Sequence, residues 1–306
     1  MSFLRLIRFP NLFIVALTQY LLQYAILIPE LEKVSQKPLL PHIPFFLLVL
    51  STVLIAAGGY IINDIEDVEI DRLNKLIEKQ IVGRVYPLSI SWLFYGITTL
   101  VGFIISLYLA FYINNFLQLV IYPLAVGLLW AYSRWLKRLP LIGNLVVAFF
   151  CAFVAWVVLY AETLNKEGMT KLGFGSTVSI ILVFIGYAIL AFISTLFREI
   201  IKDIEDAEGD KAQNCKTLPI LLGTKMSKGI ALCVGLLFLL LVFYFSFLLK
   251  DSILKVAVLN ITISLPIIYA LFLLIKAKEK QEFSFLSKLA KVIMLSGLIF
   301  LLIMKL

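Results

Sequence analysis

The sequence predicts an all-α, multi-pass membrane protein, a bundle of about nine transmembrane helices. Three observations carry this prediction. The 306 residues are 62% hydrophobic and only 15% charged, with a mean hydropathy of +1.02. Charge-free stretches of membrane-spanning length recur from one end of the chain to the other. Lys and Arg gather in alternate connecting segments. A soluble globular chain carries roughly 45–50% apolar and about 25% charged residues, so a water-soluble domain is excluded. The 24 Phe are spread along the chain, which also excludes a soluble domain with one added anchor. Cys151, Cys215 and Cys233 stand far apart, with neither metal-ligand spacing nor a disulfide framework, and the single His42 excludes a histidine cluster.

A helix crossing about 30 Å of hydrocarbon needs roughly 20 apolar residues. Stretches free of Asp, Glu, Lys and Arg give spans at Phe9–Pro29, Pro38–Asn63, Leu139–Ala161, Leu172–Phe197, Gly229–Leu249 and Val256–Ile275. Val85–Ser133 is 49 residues long, too long for one span. Asn114-Asn115 near its middle marks a turn and divides it into two helices. The last span, about Leu289–Leu306, carries Lys291 near its start. No small-residue cleavage site follows the first apolar run, which is expected to stay as the first helix. Gly58-Gly59 is read as a close helix contact, and Thr217-x-Pro219 as a helix start. With no linker or low-complexity tract, residues 1–306 are expected to form one integral membrane domain.

Orientation follows from the basic residues. With the N-terminus in the cytoplasm, segments 1–8, 64–84, 134–138, 198–228 and 276–291 are cytoplasmic and hold 20 of the 27 Lys+Arg, leaving 7 on the other side. This split predicts a cell-membrane protein with its C-terminus outside. The net charge of +8 is then topological, with some left for anionic lipids or substrates, and nucleic acid is not an expected partner.

The acids are distributed very differently. Of 19 Asp+Glu, five lie in residues 64–71 and six in 199–210. The two windows match at six of eight positions, Asp-Ile-Glu-Asp-Val-Glu-Ile-Asp at 64–71 and Asp-Ile-Glu-Asp-Ala-Glu-Gly-Asp at 203–210. Asp64, Asp67 and Asp71 stand at i, i+3, i+7, as do Asp203, Asp206 and Asp210, a spacing that puts each triad on one face of a helix. Asn63 adds an amide oxygen four residues before Asp67. Crowded carboxylates repel unless cations bind, and oxygen-only ligands suit Mg²⁺, which also takes substrate phosphates. Solvated helix caps are the ordinary explanation for one acidic run; two matching triads on one membrane side argue against it. Arg72 and Lys75 follow the first triad, Arg198 and Lys202 precede the second, and Lys137 and Arg138 occupy the loop that begins at Tyr132. Such residues at fixed positions can hold diphosphate oxygens that metals leave uncompensated. Arg8 and Asn11 open the first helix at the same face.

These residues resemble a known family. Asn63-Asp64-x-x-Asp67-x-x-x-Asp71 and Asp203-x-x-Asp206-x-x-x-Asp210 are similar to the two aspartate-rich motifs of the UbiA superfamily of intramembrane prenyltransferases. Tyr132-Ser133-x-x-Leu136-Lys137-Arg138, with Gly143-Asn144 after it, resembles that family's central loop, and Arg8 and Asn11 its first-helix pattern. Arg198-Glu199-Ile-Ile-Lys202-Asp203, followed by Thr217-Leu218-Pro219-Ile220 and Gly223, looks most like the geranylgeranylglyceryl-phosphate geranylgeranyltransferases within it. One departure is Leu76-Ile77-Glu78-Lys79-Gln80, where the family has Pro-x-Arg. The resemblance implies that this loop borders the acceptor, where Lys79 would stand in for the Arg without its bidentate fork.

The resemblance implies a bundle with its active site at the cytoplasmic side. It also implies Mg²⁺-dependent transfer of a geranylgeranyl or other polyprenyl group from a polyprenyl diphosphate to a glycerol-phosphate ether lipid, among membrane lipids. Asn63, Asp64, Asp67, Asp71, Asp203, Asp206 and Asp210 are the expected metal ligands, with Asp67, Asp71, Asp206 and Asp210 the catalytic set and Asp71 the proton acceptor. Arg72, Lys137, Arg138, Arg198 and Lys202 are expected on the diphosphate, and Arg8, Asn11, Lys75, Tyr132 and Asn144 on substrate. The rival within the family is an aromatic acceptor such as hydroxybenzoate or dihydroxynaphthoate. Outside it, a divalent-cation transporter would need polar residues along a path through the bilayer, whereas the acids here cluster at one end of their helices. A CDP-alcohol phosphotransferase would need an Asp-Gly-x-x-Ala-Arg run, which the sequence lacks.

Overall fold

The computed structural model describes residues 2–33, 35–68, 80–163, 174–212 and 215–304. Among them a one-turn helix, Ser2–Leu6, precedes nine longer helices. These are α1 (Phe9–Lys33), α2 (His42–Glu66), α3 (Leu88–Tyr112), α4 (Leu117–Arg134), α5 (Ile142–Thr163), α6 (Phe174–Ala212), α7 (Leu218–Leu248), α8 (Ile253–Lys276) and α9 (Lys280–Met304). Eight are long and apolar enough to cross a membrane; α4 holds the shorter apolar stretch, Leu119–Arg134. The last helix, expected from about Leu289, begins at Lys280 and is 25 residues long.

Local chemistry accounts for the boundaries. Pro41 and Pro87 stand in extended conformation just before α2 and α3, where a missing N–H costs nothing. Asn114 takes up a left-handed φ of 54°, and the Asn115 side-chain oxygen accepts from the Leu117 N–H at 3.1 Å, so the pair forms the expected turn between α3 and α4. Thr217 precedes α7 with Pro219 in its first turn. Gly223 interrupts the early part of that helix at φ 77°, a value that favours glycine. Both π-helical segments, Leu22–Leu27 in α1 and Asn260–Ser264 in α8, end two residues before a proline, Pro29 or Pro266. A proline ring clashes with the carbonyl four residues back, and a widened turn relieves that clash.

The helices outrun the charge-free stretches at several ends. α6 continues 15 residues past Phe197 to Ala212, and α7 begins 11 residues before Gly229, at Leu218. α9 starts at Lys280 because Phe283, Leu286, Ser287 and Ala290 form a buried i, i+3, i+4, i+7 stripe between its charged residues. Glu282 fixes that start: its carboxylate accepts from the N–H groups of Lys278 (2.6 Å) and Glu279 (2.8 Å).

The chain divides into two compact units. The first comprises residues 1–20, 34–137 and 157–173, hence α2, α3 and α4 with one end of α1 and of α5. Here α2 packs against both α3 and α4 through its adjacent glycines. A Cβ at Gly58 would lie 3.2 Å from Thr99, and one at Gly59 3.0 Å from Leu129. In lipid no hydrophobic force draws helices together, so close backbone approach at small residues supplies the contact. At the far end of this unit, buried Glu162 accepts from the N–H groups of Leu39 (2.7 Å) and Leu40 (3.2 Å). The second unit comprises residues 21–33, 138–156 and 174–306. α6 is its centre, packed on α7 and α9, and α8 packs on α7 and α9. A stripe of Phe197, Ile200, Ile201 and Ile204 on α6 enters a core with Phe238, Ile267, Leu274 and Leu286.

Candidate active site

In the first unit the acidic motif closes α2. Ile61, Ile62 and Ile65 are buried with Leu6 and Val82, which leaves Asn63, Asp64, Glu66 and Asp67 on the flank of that contact. The helix ends at Glu66 and Asp67 is its C-cap, with backbone φ −92° and ψ −3°. Carboxylates at a helix C-terminus face the negative end of the macrodipole, so this placement is unfavourable unless cations attend it. Three do. Arg8 Nη2 lies 3.3 Å from Asp64 Oδ1, Arg134 Nη1 lies 3.4 Å from each Glu66 oxygen, and Lys137 Nζ lies 2.6 Å from Asp67 Oδ1. Lys137 also donates to Asn63 Oδ1 at 3.1 Å, while Asn63 Nδ2 donates to Asp67 Oδ2 at 3.2 Å.

Arg8 reaches Asp64 because it adopts a left-handed φ of 50° in the break between Ser2–Leu6 and α1. Its guanidinium stacks over the Tyr60 ring at 4.8 Å, and Asn11 Nδ2 donates to the Tyr60 hydroxyl at 3.3 Å. Arg134 lies 5.8 Å from the rings of both Trp130 and Trp135. Tyr132 is half-buried on α4. Asp71, Arg72 and Lys75, together with Lys79, lie outside the described residues. Gln80 Nε2 donates to the Val68 carbonyl at 3.3 Å.

In the second unit the motif rides on the last turns of α6, again toward a helix C-terminus. Asp203, Asp206 and Asp210 share one continuous helix, as their spacing predicts, on a face turned away from the buried Phe197–Ile204 stripe. Asn144, buried near the start of α5, donates from Nδ2 to Asp203 Oδ2 at 2.9 Å. Asn144 thus holds a motif carboxylate directly. Arg198 is half-buried and paired with Glu199, and its Nε is buried with no hydrogen-bond partner. Lys202 is exposed and Arg138 half-buried. The Arg138 carbonyl accepts from the Lys216 N–H at 2.9 Å within this unit.

Four participants escaped the sequence reading: Tyr60, Arg134, Glu199 and the role of Asn144 toward Asp203. Arg134 was countable in the basic 134–138 loop, and Glu199 stands four residues before Asp203, on the same helical face. Nothing in the sequence distinguishes Tyr60 from the other twelve tyrosines.

The donors fit a hard divalent cation. They are carboxylate and amide oxygens, and in the first unit those of Asp67 and Asn63 already converge on a cationic ammonium. Among the described residues no three Asp, Glu, His or Cys side chains come close enough together to hold a metal by themselves.

Residues 34–292 match the UbiA prenyltransferase family. The chain is 38% identical over 181 residues to the digeranylgeranylglyceryl phosphate synthase of Sulfolobus acidocaldarius, covering 59% of this chain and 58% of that relative. That match spans less than two thirds of the relative's length. To the enzyme of the same name from Thermococcus kodakarensis it is 32% identical over 246 residues, 79% of each chain. Among solved structures, one concerning digeranylgeranylglyceryl phosphate synthase in membranes superposes with a TM-score of 0.69 at 26% identity, over 99% of this chain and 97% of that one. A UbiA homolog from Archaeoglobus fulgidus bound to GPP and Mg²⁺ shares the fold, with a TM-score of 0.57 at 18% identity over 98% and 99% of the two chains. The chain belongs to the UbiA prenyltransferase family.

Proposed function

We propose that this chain transfers a geranylgeranyl group from its allylic diphosphate to a glycerol-phosphate ether lipid, with Mg²⁺ as cofactor and release of diphosphate, as one integral membrane enzyme. The observation that carries the reading is that each unit ends a long apolar helix in a carboxylate motif with basic side chains close by. The relatives named digeranylgeranylglyceryl phosphate synthase support the choice of acceptor.

In the proposed reaction the bond between C1 of the prenyl chain and the diphosphate oxygen breaks. The acceptor hydroxyl oxygen forms the new bond to C1. Mg²⁺, when bound, supplies positive charge against the diphosphate. Asn63, Asp64, Asp67 and Asp71 would hold one ion, and Asp203, Asp206 and Asp210 a second. Lys137, Arg138, Arg198, Lys202 and Arg72 bind diphosphate oxygens. The partnerless Nε of Arg198 is a buried donor that an anionic oxygen would satisfy. Arg8, Asn11, Lys75 and Tyr132 border the substrates. Asp71 takes the proton lost by the acceptor hydroxyl, and the apolar helices house the prenyl chain and keep water from the allylic cation. The motif side faces the cytoplasm, with the C-terminus outside.

The test is purified protein with geranylgeranyl diphosphate and Mg²⁺, offered glycerol-phosphate ether lipids and aromatic acids in parallel, with products read by mass spectrometry. A diether phosphate product is expected. Product from the aromatic acids alone overturns the acceptor. Metal flux in liposomes with no diphosphate release overturns the reaction.

A further inference from the structure

Among the described residues, two buried side-chain atoms of one short stretch of α6 make no hydrogen bond. One is Nε of Arg198; the other is Oγ1 of Thr195, a residue 2% exposed and three positions earlier. The thiol of Cys151 on α5, a weak hydrogen-bonding group, lies beside that hydroxyl. A buried donor without a partner costs free energy. Two of them within one turn point to a second arrangement of the same side chains in which each is used.

The group between them is Glu199. It is the chain neighbour of Arg198, and neighbours on a helix do not face each other. The guanidinium therefore folds sideways along α6 to meet the carboxylate through Nη1. The side chains of this pair are 25% and 14% exposed, whereas Arg8 and Arg134 in the first-unit pairs are 44% and 50% exposed. Charges this shielded need a partner in any arrangement they adopt. Thr195 stands four residues before Glu199, and side chains at i and i+4 face each other on a helix. Asp203 stands four residues after it, and the charge of Glu199 is felt there.

We propose that Glu199 and Thr195 are positioning residues that let Arg198 exchange between two anions. Arg198 rests on Glu199 and leaves it for the diphosphate, to which Nε then donates. The hydroxyl of Thr195 turns to donate to the Glu199 carboxylate left behind, so both unpartnered atoms gain acceptors. Glu199 thus competes with the diphosphate for one guanidinium and favours release of the leaving group after transfer. This rests on the diphosphate reading above.

The exchange is tested by calorimetric binding of inorganic diphosphate to the full chain in lipid nanodiscs at saturating Mg²⁺. Glu199→Gln is expected to bind it about tenfold or more tighter than the wild type, because a charge-assisted contact no longer competes. Thr195→Val, close to the original in shape, is expected to bind it about tenfold more weakly, because Glu199 then has no donor once Arg198 departs. In the double variant the Thr195 effect vanishes and affinity is that of Glu199→Gln alone. A loss of packing would weaken binding in both single variants and would not cancel in the double. The exchange is overturned if Glu199→Gln leaves affinity unchanged or weakens it, or if Thr195→Val acts equally in both backgrounds. Should Glu199→Gln not fold, Thr195→Val decides alone, with unchanged affinity overturning the exchange. Unchanged affinity in Arg198→Gln removes Arg198 from the diphosphate and overturns the exchange, leaving prenyl transfer standing. If the wild type binds no diphosphate at all, both the exchange and the underlying reading fall.

Discussion

Asp67 and Asp206 occupy equivalent places in the two windows; Asp67 caps its helix, where a carboxylate is disfavoured without a cation, and Asp206 lies in the last turns of its own. Replacing either with Ala removes a proposed metal ligand without opening a cavity. Transfer is expected to fall by at least about a hundredfold, while circular dichroism and gel filtration remain those of the folded protein. Asn144 makes a subtler case. It touches Asp203 at 2.9 Å, and residues that hold a metal ligand typically matter by about 10–100-fold in metal affinity. Asn144→Ala is therefore expected to raise the Mg²⁺ concentration for half-maximal activity by that factor, with a smaller change in the rate at saturating metal. At this scale the spacing was legible for the second triad, whose three carboxylates share one continuous helix, but not for the first, because α2 ends at Glu66 and Asp71 lies outside the described residues. Their partners were not. Arg134 with Glu66, or Arg8 over Tyr60, are meetings of side chains 52 or more residues apart, which no local spacing encodes.

Helices show a comparable division. The split at Asn114-Asn115 could be read because asparagine tolerates the left-handed turn that the chain adopts there. The true ends of α6, α7 and α9 could not. A search for charge-free residues finds what lipid can surround, whereas helical hydrogen bonding continues through Lys, Glu and Asp once the chain reaches water. The π segments were also hidden, although each stands just before a proline that was in view. Gly223, at φ 77°, offers a test at the level of the element. Gly223→Ala adds a Cβ that meets no atom within 4 Å, so crowding plays no part and any effect is one of backbone strain. A loss of about 1–3 kcal/mol is expected, read as earlier thermal unfolding. Gly235→Val should cost more, because a Cβ there falls 2.6 Å from Leu271 and 2.7 Å from Phe197 in the core beside α6.

For the molecule as a whole, composition alone placed the chain in a bilayer, and the alternation of Lys and Arg gave a direction that can be measured directly. With the native cysteines replaced, a cysteine introduced at Ser35 should react with an impermeant maleimide in intact cells. One introduced at Lys278 should react only after permeabilisation. The reverse pattern would invert the topology. The division into two compact units, one motif to each, could not be read from an uninterrupted run of apolar helices, because nothing in composition changes where one unit gives way to the other.

The first motif closes α2 at its negative pole, and that arrangement bears on more than catalysis. Whatever cation settles there relieves an unfavourable field in the folded chain and does nothing for the unfolded one. Mass action then makes the ion a thermodynamic partner of folding, with a gain of about 2.7 kcal/mol at a hundred times its dissociation constant. The purified protein is expected to melt later with added Mg²⁺, and later again with Mg²⁺ and inorganic diphosphate together, while K⁺ at matched ionic strength leaves the midpoint unmoved. A cell short of divalent cation would accordingly hold fewer intact copies of this protein as well as slower ones.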